Sequence, residues 1–363
     1  MNIILINPPS PLTGEHLHGK GSYPHLGLGS LSASMSASGH HCRTIDAKFS
    51  PMTIRDIIKR CVDFNPDLIC ITSRTFDFPS AVLTASAIRS VLRVPLVLGG
   101  SHASTMPYQI LGDYNFIDFV VRGEGEIPLV RLCSGDPPSM IHGLYFRDCG
   151  RCRRGPMPEL PDPEALPSPV YHEYIGSRCS RVFIMAARGC PYNCLFCGSV
   201  LGKKMRRRQP ESIAAEIQSH LAVLDFDLLE FADESFTLDS DYACSVMAIL
   251  RKCFPGLRWA ASTRADLLNR EIIREMKASG CVQLAIGAES GDPAMLRRWQ
   301  KNILPSQVLK SVRICETAGI RVDLNFILGG PFENYRTLFR TLRFLLRANP
   351  SMASVSIGVP YPG

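Results

Sequence analysis

Three cysteines stand within eight residues of one another in the middle of this chain: Cys190, Cys194 and Cys197. They follow the apolar run 182–187, which is typical of a buried strand, so we expect the thiols on a loop at the end of that strand. Thiolates are soft ligands that select zinc, copper or iron–sulfur clusters. A closed zinc site needs four ligands, and no Cys or His follows before His220. Three thiols therefore favour an iron–sulfur cluster with one iron left open.

The composition limits the class of protein. The chain has 363 residues, of which 45 % are hydrophobic and 20 % charged, and this length allows two domains. Its fourteen cysteines are scattered through apolar segments without a signal peptide, which predicts free thiols in the reducing cytoplasm. No apolar run reaches the roughly 20 residues needed to span a bilayer. Much of the net charge of +7 lies in residues 202–208, which we expect to be a solvated loop, and no nucleic-acid partner is expected.

The first 145 residues alternate short apolar segments with amphipathic ones, which predicts an α/β domain with a Rossmann-like, doubly wound sheet. Predicted strands cover residues 2–6, 41–46, 68–72, 96–98 and 116–121, and predicted helices cover 26–37, 54–63, 80–92 and 125–132. In such a sheet the ligand lies beyond the carboxyl ends of the strands. A plain dinucleotide site is excluded, because the first strand is followed by Asn-Pro-Pro where a glycine-rich turn would be required.

The remaining chain divides into a linker and a second domain. Residues 146–178 are rich in proline and predict a linker, in which Cys149 and Cys152 are expected to be free thiols. Residues 179–363 repeat a strand–helix unit six times, which predicts a partial (β/α)6 barrel. Its strands are predicted at 182–187, 228–232, 258–262, 283–287, 322–326 and 354–358, and its helices at 210–222, 240–253, 269–279, 304–317 and 334–347.

The cysteine loop, with an aromatic residue directly before its third cysteine, resembles the signature of the radical S-adenosylmethionine (radical SAM) enzymes. The resemblance implies a [4Fe–4S] cluster on the three cysteines, whose open iron chelates the amino and carboxylate groups of SAM. Polar residues that follow the next four strands resemble the SAM contacts of this family. Together with the aromatic residue, the implied SAM-binding set is Phe196, Asp233, Glu234, Arg264, Glu289, Ser290 and Gly329.

Each of these contacts has a physical reason. Asp233 and Glu234 can accept hydrogen bonds from the methionine ammonium group, and Arg264 can pair with its carboxylate. Glu289 and Ser290 can accept hydrogen bonds from the ribose hydroxyls. Any one of them alone could equally be a strand-end cap or a surface ion pair. Their placement after four successive strands favours a shared ligand.

The first domain resembles the cobalamin-binding domain that precedes the radical domain in one large class of these enzymes. The resemblance runs in order along nearly the whole domain and implies the cobalamin-binding residues Pro24, Leu26, Thr72, Ser73, Gly99, Gly100, His102, Gly123 and Glu124. One feature departs from many other cobalamin proteins: the Asp-x-His-x-x-Gly segment that places a histidine under cobalt is absent. The lower axial position is therefore expected to be open or filled otherwise.

The joint resemblance implies a cobalamin-dependent methyltransferase that acts on an unactivated carbon of a small molecule. It also implies an external electron donor such as flavodoxin or ferredoxin. A cobalamin-dependent radical cyclase or rearrangement enzyme, similar to the anaerobic porphyrin-ester cyclases, is the alternative within the family. A non-catalytic cluster or cobalamin carrier is the alternative outside it, because relatives usually continue beyond a Pro-x-Pro-Gly sequence like that of residues 360–363. A methylthiotransferase acting on transfer RNA is disfavoured, since the second cysteine triad of those enzymes is missing.

Overall fold

A computed structural model describes residues 1–10, 23–360 and 362, so positions 361 and 363 of the Pro-x-Pro-Gly sequence lie outside it. The chain divides into two compact units. Unit 1 comprises the described residues of 1–180 together with Val223–Asp225, and unit 2 comprises Arg181–Ala222 and Phe226–Pro360. The α/β class predicted from the sequence is confirmed.

Unit 1 is built on a seven-stranded sheet. Its strands are β1 (Asn2–Asn7), β2 (His41–Asp46), β3 (Leu68–Thr72), β4 (Leu96–Gly99), β5 (Phe119–Val121), β6 (Leu144–Asp148) and β7 (Arg151–Arg154), and the short β8 (Arg178–Cys179) lies near its end. Its helices are α1 (Leu26–Ala37), α2 (Ile54–Phe64), α3 (Phe78–Val91), α4 (Ser101–Thr105), α5 (Pro107–Asp113) and α6 (Glu126–Cys133). The predicted helices correspond to α1, α2, α3 and α6, whereas α4 and α5 were not predicted from the sequence.

The strand order is β2-β1-β3-β4-β5-β6-β7, with β1 to β5 parallel and the last two pairings antiparallel. β1 is buried on both faces. Ile4 and Ile6 join the core on one side, and Ile3 and Leu5 join the core on the other, as the alternation of a strand requires. The chain reverses its winding direction between β1 and β3, which is the point where open α/β sheets bind ligands.

The segment predicted as a linker belongs to unit 1. Residues 151–154 form β7, which pairs with β6 and extends the sheet by a hairpin. Further along, Tyr174 is buried and its hydroxyl donates to Asp46 Oδ2 at 2.9 Å, at the end of β2. The prolines follow β7 and so do not interrupt a strand. Cys149, at the hairpin turn, and Cys152 are both free thiols.

Unit 2 contains the six strands of the predicted barrel and several short ones. Its strands are β9 (Val182–Ile184), β10 (Ala187–Arg188), β11 (Arg206–Arg207), β12 (Asp225–Phe226, at the unit boundary), β13 (Leu229–Phe231), β14 (Trp259–Thr263), β15 (Cys281–Glu289), β16 (Arg321–Leu328) and β17 (Met352–Ile357). Its helices are α7 (Pro210–Val223), α8 (Ser240–Cys253), α9 (Arg270–Ala278), α10 (Pro293–Arg298), α11 (Pro305–Thr317) and α12 (Tyr335–Ala348). Apart from α10, every helix was predicted to within two residues of its bounds.

The six main strands are parallel and lie in chain order, β9-β13-β14-β15-β16-β17. The described residues form a hydrophobic core against these strands, in which Phe231, Phe236 and Trp259 pack ring against ring. The Trp259 indole N–H donates to the Ser279 carbonyl at 2.8 Å, so this large buried side chain has no unmet polar group. The carboxyl ends of these strands all point to one edge, where the predicted site residues lie.

The first strand of unit 2 differs from its prediction. It ends at Ile184, and the chain then forms β10, which pairs antiparallel with β11. The basic run 202–208, expected to be a solvated loop, supplies β11. Within the run, Arg207 forms an ion pair with Asp239 at 2.7 Å, and Arg208 donates to the fully buried carboxylate of Glu216 at 2.5 Å. Residues 206–207 are therefore a strand and not a loop, and Arg208 is largely buried, whereas the Arg207 side chain is exposed as expected.

Candidate functional site

The cysteine loop spans residues 189–205 between the paired strands β10 and β11. Its entrance is Gly189, whose φ of +94° lies in the left-handed region. A Cβ at this position would lie 2.3 Å from the carbonyl oxygen of Lys204, so only glycine fits there. The next amide closes the loop, since Cys190 N donates to the Gly202 carbonyl at 3.1 Å.

The three thiols are within reach of solvent. Cys190 and Cys194 are half-buried, Cys197 is exposed, and the amide of Cys197 donates to the Cys194 carbonyl at 3.1 Å. Burial raises the pKa of the Cys190 thiol. A backbone hydrogen bond from Tyr192 lowers this pKa, and the neighbouring Cys197, Glu234 and Cys194 raise it. Within residues 1–10, 23–360 and 362, no three His, Cys, Asp or Glu side chains form a ready-made metal-binding group. The three sulfurs therefore lie on one loop, but they are not close enough together in this structure to bind a metal ion as a group.

Asp233 binds the backbone just before the start of this loop. Its Oδ1 and Oδ2 accept hydrogen bonds from the amides of Ala186 and Ala187, each at 2.8 Å. Its residue surface is only 4 % exposed, and burial raises its pKa to about 7. Because both carboxylate oxygens bind backbone amides, Asp233 positions the strand end between β9 and β10. Asp233 thus supports the strand end in this structure, and the SAM contact implied from the sequence stays a prediction.

Glu234 lies closer to the cysteines. Its Oε2 accepts from the amide of Gly189 at 3.1 Å, and its Oε1 accepts from the Ser199 hydroxyl at 2.6 Å. These two bonds join the beginning of the cysteine loop to a residue just after Cys197. Glu234 therefore places a negative charge directly beside the loop.

Arg264 is almost completely buried next to the second cysteine. Its Nε and Nη2 form a two-point ion pair with Asp266 at 3.0 and 3.1 Å, which fixes the guanidinium plane. The same plane stacks on the ring of Tyr192, 3.7 Å from its centroid. Nη1 then points to the Cys194 sulfur at 3.9 Å. This arrangement holds a permanent positive charge against a predicted ligand thiol.

Glu289 ends β15 and Ser290 directly follows it, and their side chains have different partners. Glu289 Oε1 accepts from the ammonium of Lys301 at 3.0 Å, and both side chains are buried. The Ser290 hydroxyl instead lies 3.1 Å from that of Thr341 and accepts from the amide of Asp292 at 3.1 Å. The Ser290 hydroxyl is thus engaged with Thr341 and Asp292, and its implied ribose contact stays a prediction.

Phe196 lies beside an aromatic neighbour, and Gly329 lies at the end of β16. The Phe196 ring packs edge-on against Trp299, with centroids 6.2 Å apart. The backbone amide of Leu195 donates to the Trp299 carbonyl at 3.0 Å, which ties the cysteine loop to the end of α10. Gly329 follows β16 with a φ of +78°, and its amide donates to Glu333.

In unit 1 the predicted cobalamin residues gather at the carboxyl ends of β3 and β4. The amide and hydroxyl of Ser73 both donate to the Gly99 carbonyl, at 2.8 and 3.0 Å. The amide of His102 in turn donates to the Ser73 carbonyl at 3.2 Å. Gly100 has a φ of +94°, and a Cβ there would lie 2.4 Å from the Ser73 carbonyl oxygen. Thr72 is the last residue of β3, so these positions form one continuous strand-end surface.

His102 has its own partners on this surface. Its Nδ1 lies 3.2 Å from the Thr75 hydroxyl, and its ring packs on Phe78 with centroids 4.0 Å apart. Burial lowers the pKa of the imidazole. These contacts orient the ring at the start of the short helix α4.

The remaining candidates lie at two nearby helix starts. Gly123, with a φ of +86°, donates its amide to Ser104 Oγ at 3.0 Å and is followed by the buried Glu124. Pro24 is buried and Leu26 is half-buried at the beginning of α1. The structure joins Gly123 to α4 through Ser104, and no hydrogen bond among the described residues joins Leu26 to the Ser73 group.

Two family models match this chain. The B12 binding domain matches residues 17–133, and the radical SAM superfamily matches residues 184–345. An uncharacterized methyltransferase of Pyrococcus horikoshii is 30 % identical over 380 residues, a match that covers all of this chain and 82 % of that relative. The chain belongs to the radical SAM enzymes that carry a B12-binding domain.

Two further proteins are similar at lower identity. The anaerobic magnesium-protoporphyrin IX monomethyl ester cyclase of Cereibacter sphaeroides is 25 % identical over 389 residues. The match covers all of this chain and 62 % of the length of that relative. The solved structure of the radical SAM methyltransferase TsrM from Kitasatospora setae aligns with a TM-score of 0.82 at 20 % identity, covering 99 % of this chain and 74 % of that one. At that identity the likeness establishes the shared fold.

The cofactors of this radical SAM enzyme are a [4Fe–4S] cluster, SAM and cobalamin. The chain's own residues fit the first of these. Three soft thiol donors lie on one loop, and the guanidinium of Arg264 faces one of them. No helix in the described part of the chain is both long and apolar enough to cross a membrane.

Several neighbours of the radical SAM site were not singled out from the sequence. Lys301 and Trp299 lie just after α10, far along the chain from the cysteines they approach. Asp266 could have been found as the carboxylate two residues after Arg264, and Tyr192 as an aromatic residue inside the cysteine loop. No local signal marks Lys301, because its partner Glu289 lies on a different element.

Replacing Gly189 by alanine should impair loading of the iron–sulfur cluster. The new Cβ would meet the Lys204 carbonyl at 2.3 Å, and the left-handed backbone adds about 1–2 kcal/mol of strain, so the loop has to shift. Gly198 is the matched control, since a Cβ there has no neighbour within 4 Å. Iron and sulfide analysis after anaerobic reconstitution should show a clear loss in Gly189→Ala and little change in Gly198→Ala. Full loading of both variants would refute the assigned role of the loop entrance.

Proposed function

We propose that this radical SAM enzyme transfers a methyl group to an unactivated carbon of a small-molecule substrate. The single observation that carries the proposal is the presence, in one chain, of a B12-binding domain and of a cysteine loop flanked by fixed charged groups. Methyl transfer is the simplest reaction that uses both parts. The name of the Pyrococcus horikoshii relative, a methyltransferase, supports the same chemistry.

The proposed roles of the radical SAM residues follow from their contacts. Cys190, Cys194 and Cys197 hold the cluster, which when bound supplies the electron that fragments SAM. Asp266 already fixes the orientation of Arg264. Its guanidinium can therefore pair with the methionine carboxylate with little further loss of side-chain entropy.

The other charged groups divide between ligand contacts and support. Glu234 offers its negative charge to the methionine ammonium, and Glu289 offers a carboxylate to the ribose. Asp233 and Ser290 act indirectly, through Ala186 with Ala187 and through Thr341 with Asp292. Phe196 and Gly329 are proposed to border the adenosine.

For unit 1 we propose that cobalamin lies across the carboxyl ends of β3, β4 and β5. Gly99 supports this placement, because even an added Cβ there would meet nothing within 4 Å, so a large ligand can approach the backbone. Ser73 and Gly100 shape this surface through their mutual contacts, and Gly123 with Glu124 borders it. We further propose that Pro24 and Leu26 contact the cofactor from the start of α1.

An external donor has to supply the electron for each round of SAM fragmentation. Flavodoxin and ferredoxin are the proposed donors. A low-potential, reducing environment suits both the donor and the exposed thiol of Cys197, which oxygen would otherwise oxidise.

Product stoichiometry tests the proposal. A methyl transfer of this kind consumes two SAM molecules per turnover, one leaving S-adenosylhomocysteine and one leaving 5′-deoxyadenosine. With substrate and reductant, chromatography should therefore detect both by-products in equal amounts. Release of 5′-deoxyadenosine without S-adenosylhomocysteine would favour the cyclase or rearrangement alternative. The cyclase relative, which is 25 % identical, supports this alternative. Absence of both would favour a carrier.

A further inference from the structure

Lys301 lies where three parts of the radical SAM site meet. It is only 7 % exposed, and its ammonium lies 3.0 Å from Glu289 Oε1 and 5.7 Å from the centroid of the Phe196 ring. Its carbonyl oxygen accepts a hydrogen bond from Arg264 Nη2 at 2.9 Å. Lys301 thus lies next to three proposed SAM-binding residues: Glu289, proposed to bind the ribose, Phe196, which precedes the third cysteine, and Arg264, proposed to bind the methionine carboxylate.

The backbone around Glu289 is shaped to admit this ion pair. Glu289 has a φ of +58°, which is uncommon for a residue with a side chain, and the register between β15 and β16 shifts between Gly287 and Glu289. Such irregularities redirect side chains near functional sites. A Cβ on Gly287 would lie 2.2 Å from Glu289 Oε1 and 2.8 Å from Lys301 Nζ, so the pair occupies the space that this glycine leaves.

The pair leaves one acceptor on Glu289 unused. Oε1 is bound to Lys301, whereas Oε2 accepts no hydrogen bond from the residues that the structure describes. A buried carboxylate that is fixed at one oxygen presents the other in a single direction. Because the charge of Lys301 offsets that of Glu289, this acceptor can stay in a largely buried position.

We propose that Lys301 is a positioning residue that holds Glu289 so that its free oxygen accepts a ribose hydroxyl of SAM. The inference rests on the proposed function, in which Glu289 contacts the ribose. A purely structural ion pair would stabilise unit 2 without affecting recognition of the ribose. Lys301 should instead control how strongly the enzyme distinguishes SAM from an analogue without ribose hydroxyls.

The test compares binding of SAM and of its 2′,3′-dideoxyribose analogue to the reconstituted full chain by anaerobic equilibrium dialysis. Hydrogen bonds to charged groups contribute about 1.5–3 kcal/mol, so the unmodified enzyme should prefer SAM by roughly 10- to 100-fold. Lys301→Met should bind SAM about tenfold more weakly and lose most of this preference, with its iron content unchanged. Lys301→Arg, which keeps the charge, should retain part of the preference.

Lys277→Met is the matched control. Lys277 lies in the same unit and donates to the Gly319 carbonyl at 2.8 Å, in an exposed position away from the cysteine loop. It should keep the full preference for SAM. If Lys301→Met does not fold, Lys301→Gln, which keeps a donor without the charge, is measured in its place with the same expectation.

The outcomes separate this inference from the proposed function. If Lys301→Met retains the preference of the unmodified enzyme, or if the unmodified enzyme binds both ligands equally, the positioning role is wrong. If the unmodified enzyme carries its cluster but binds no SAM, the proposed function fails and the inference fails with it. A preference lost in Lys301→Met and kept in Lys277→Met supports both.

Discussion

Replacing Cys190, Cys194 and Cys197 together by alanine should abolish the iron–sulfur cluster. The alanine side chain has no atom that can bind iron. The predicted ligand set consists of these three cysteines. Iron and sulfide should fall from about four of each per chain to near zero after anaerobic reconstitution, and the broad visible absorption should disappear. The side chains are half-buried or exposed, so the substitutions remove little core packing and the fold should survive.

A matched substitution separates ligation from general thiol effects. Cys253 is an exposed thiol at the end of α8 in the same unit, and Cys253→Ala should load its cluster normally. Circular dichroism should show that both variants keep their helices. Unchanged iron and sulfide in the triple variant would show that the cluster is held elsewhere.

Gly100→Ala should strongly destabilise unit 1 and remove cobalamin binding. The left-handed backbone costs a residue with a side chain about 1–2 kcal/mol. The new Cβ would also lie 2.4 and 2.7 Å from the carbonyl oxygen and amide nitrogen of Ser73, which are backbone atoms and cannot rotate away. Overpacking of this kind costs about 1–3 kcal/mol more, so the free energy of unfolding should fall by about 3 kcal/mol.

The adjacent glycine provides the control. At Gly99 a Cβ would have no neighbour within 4 Å, so Gly99→Ala should unfold at nearly the same denaturant concentration as the unmodified protein. If cobalamin lies across the strand ends as proposed, Gly99→Ala should nevertheless bind it more weakly, because the methyl group enters the space of the ligand. Equal stability of the two variants would contradict the strained strand-end geometry.

Regular elements could be predicted because their signals are local. The strands β1 to β3 and the helices α1, α8 and α11 follow from apolar spacing, and their predicted bounds differ from the structure by at most one residue. The short helices α4, α5 and α10 were missed, since five to seven residues are too few to establish a helical period. Residues 151–154 were missed because their strand depends on pairing with β6.

The functional site also contains features that local sequence predicts and features that depend on tertiary contacts. The sequence by itself determined the three cysteines, their spacing and the polar residues after each strand, because a loop ligand set and strand-end positions are properties of the local chain. Tertiary structure alone decided which of those polar groups are already occupied. Asp233 binds the amides of Ala186 and Ala187, some 46 residues away, and Lys301, just after α10, reaches Glu289 at the end of β15. Such partners depend on packing between distant elements, and no periodicity along the chain encodes them.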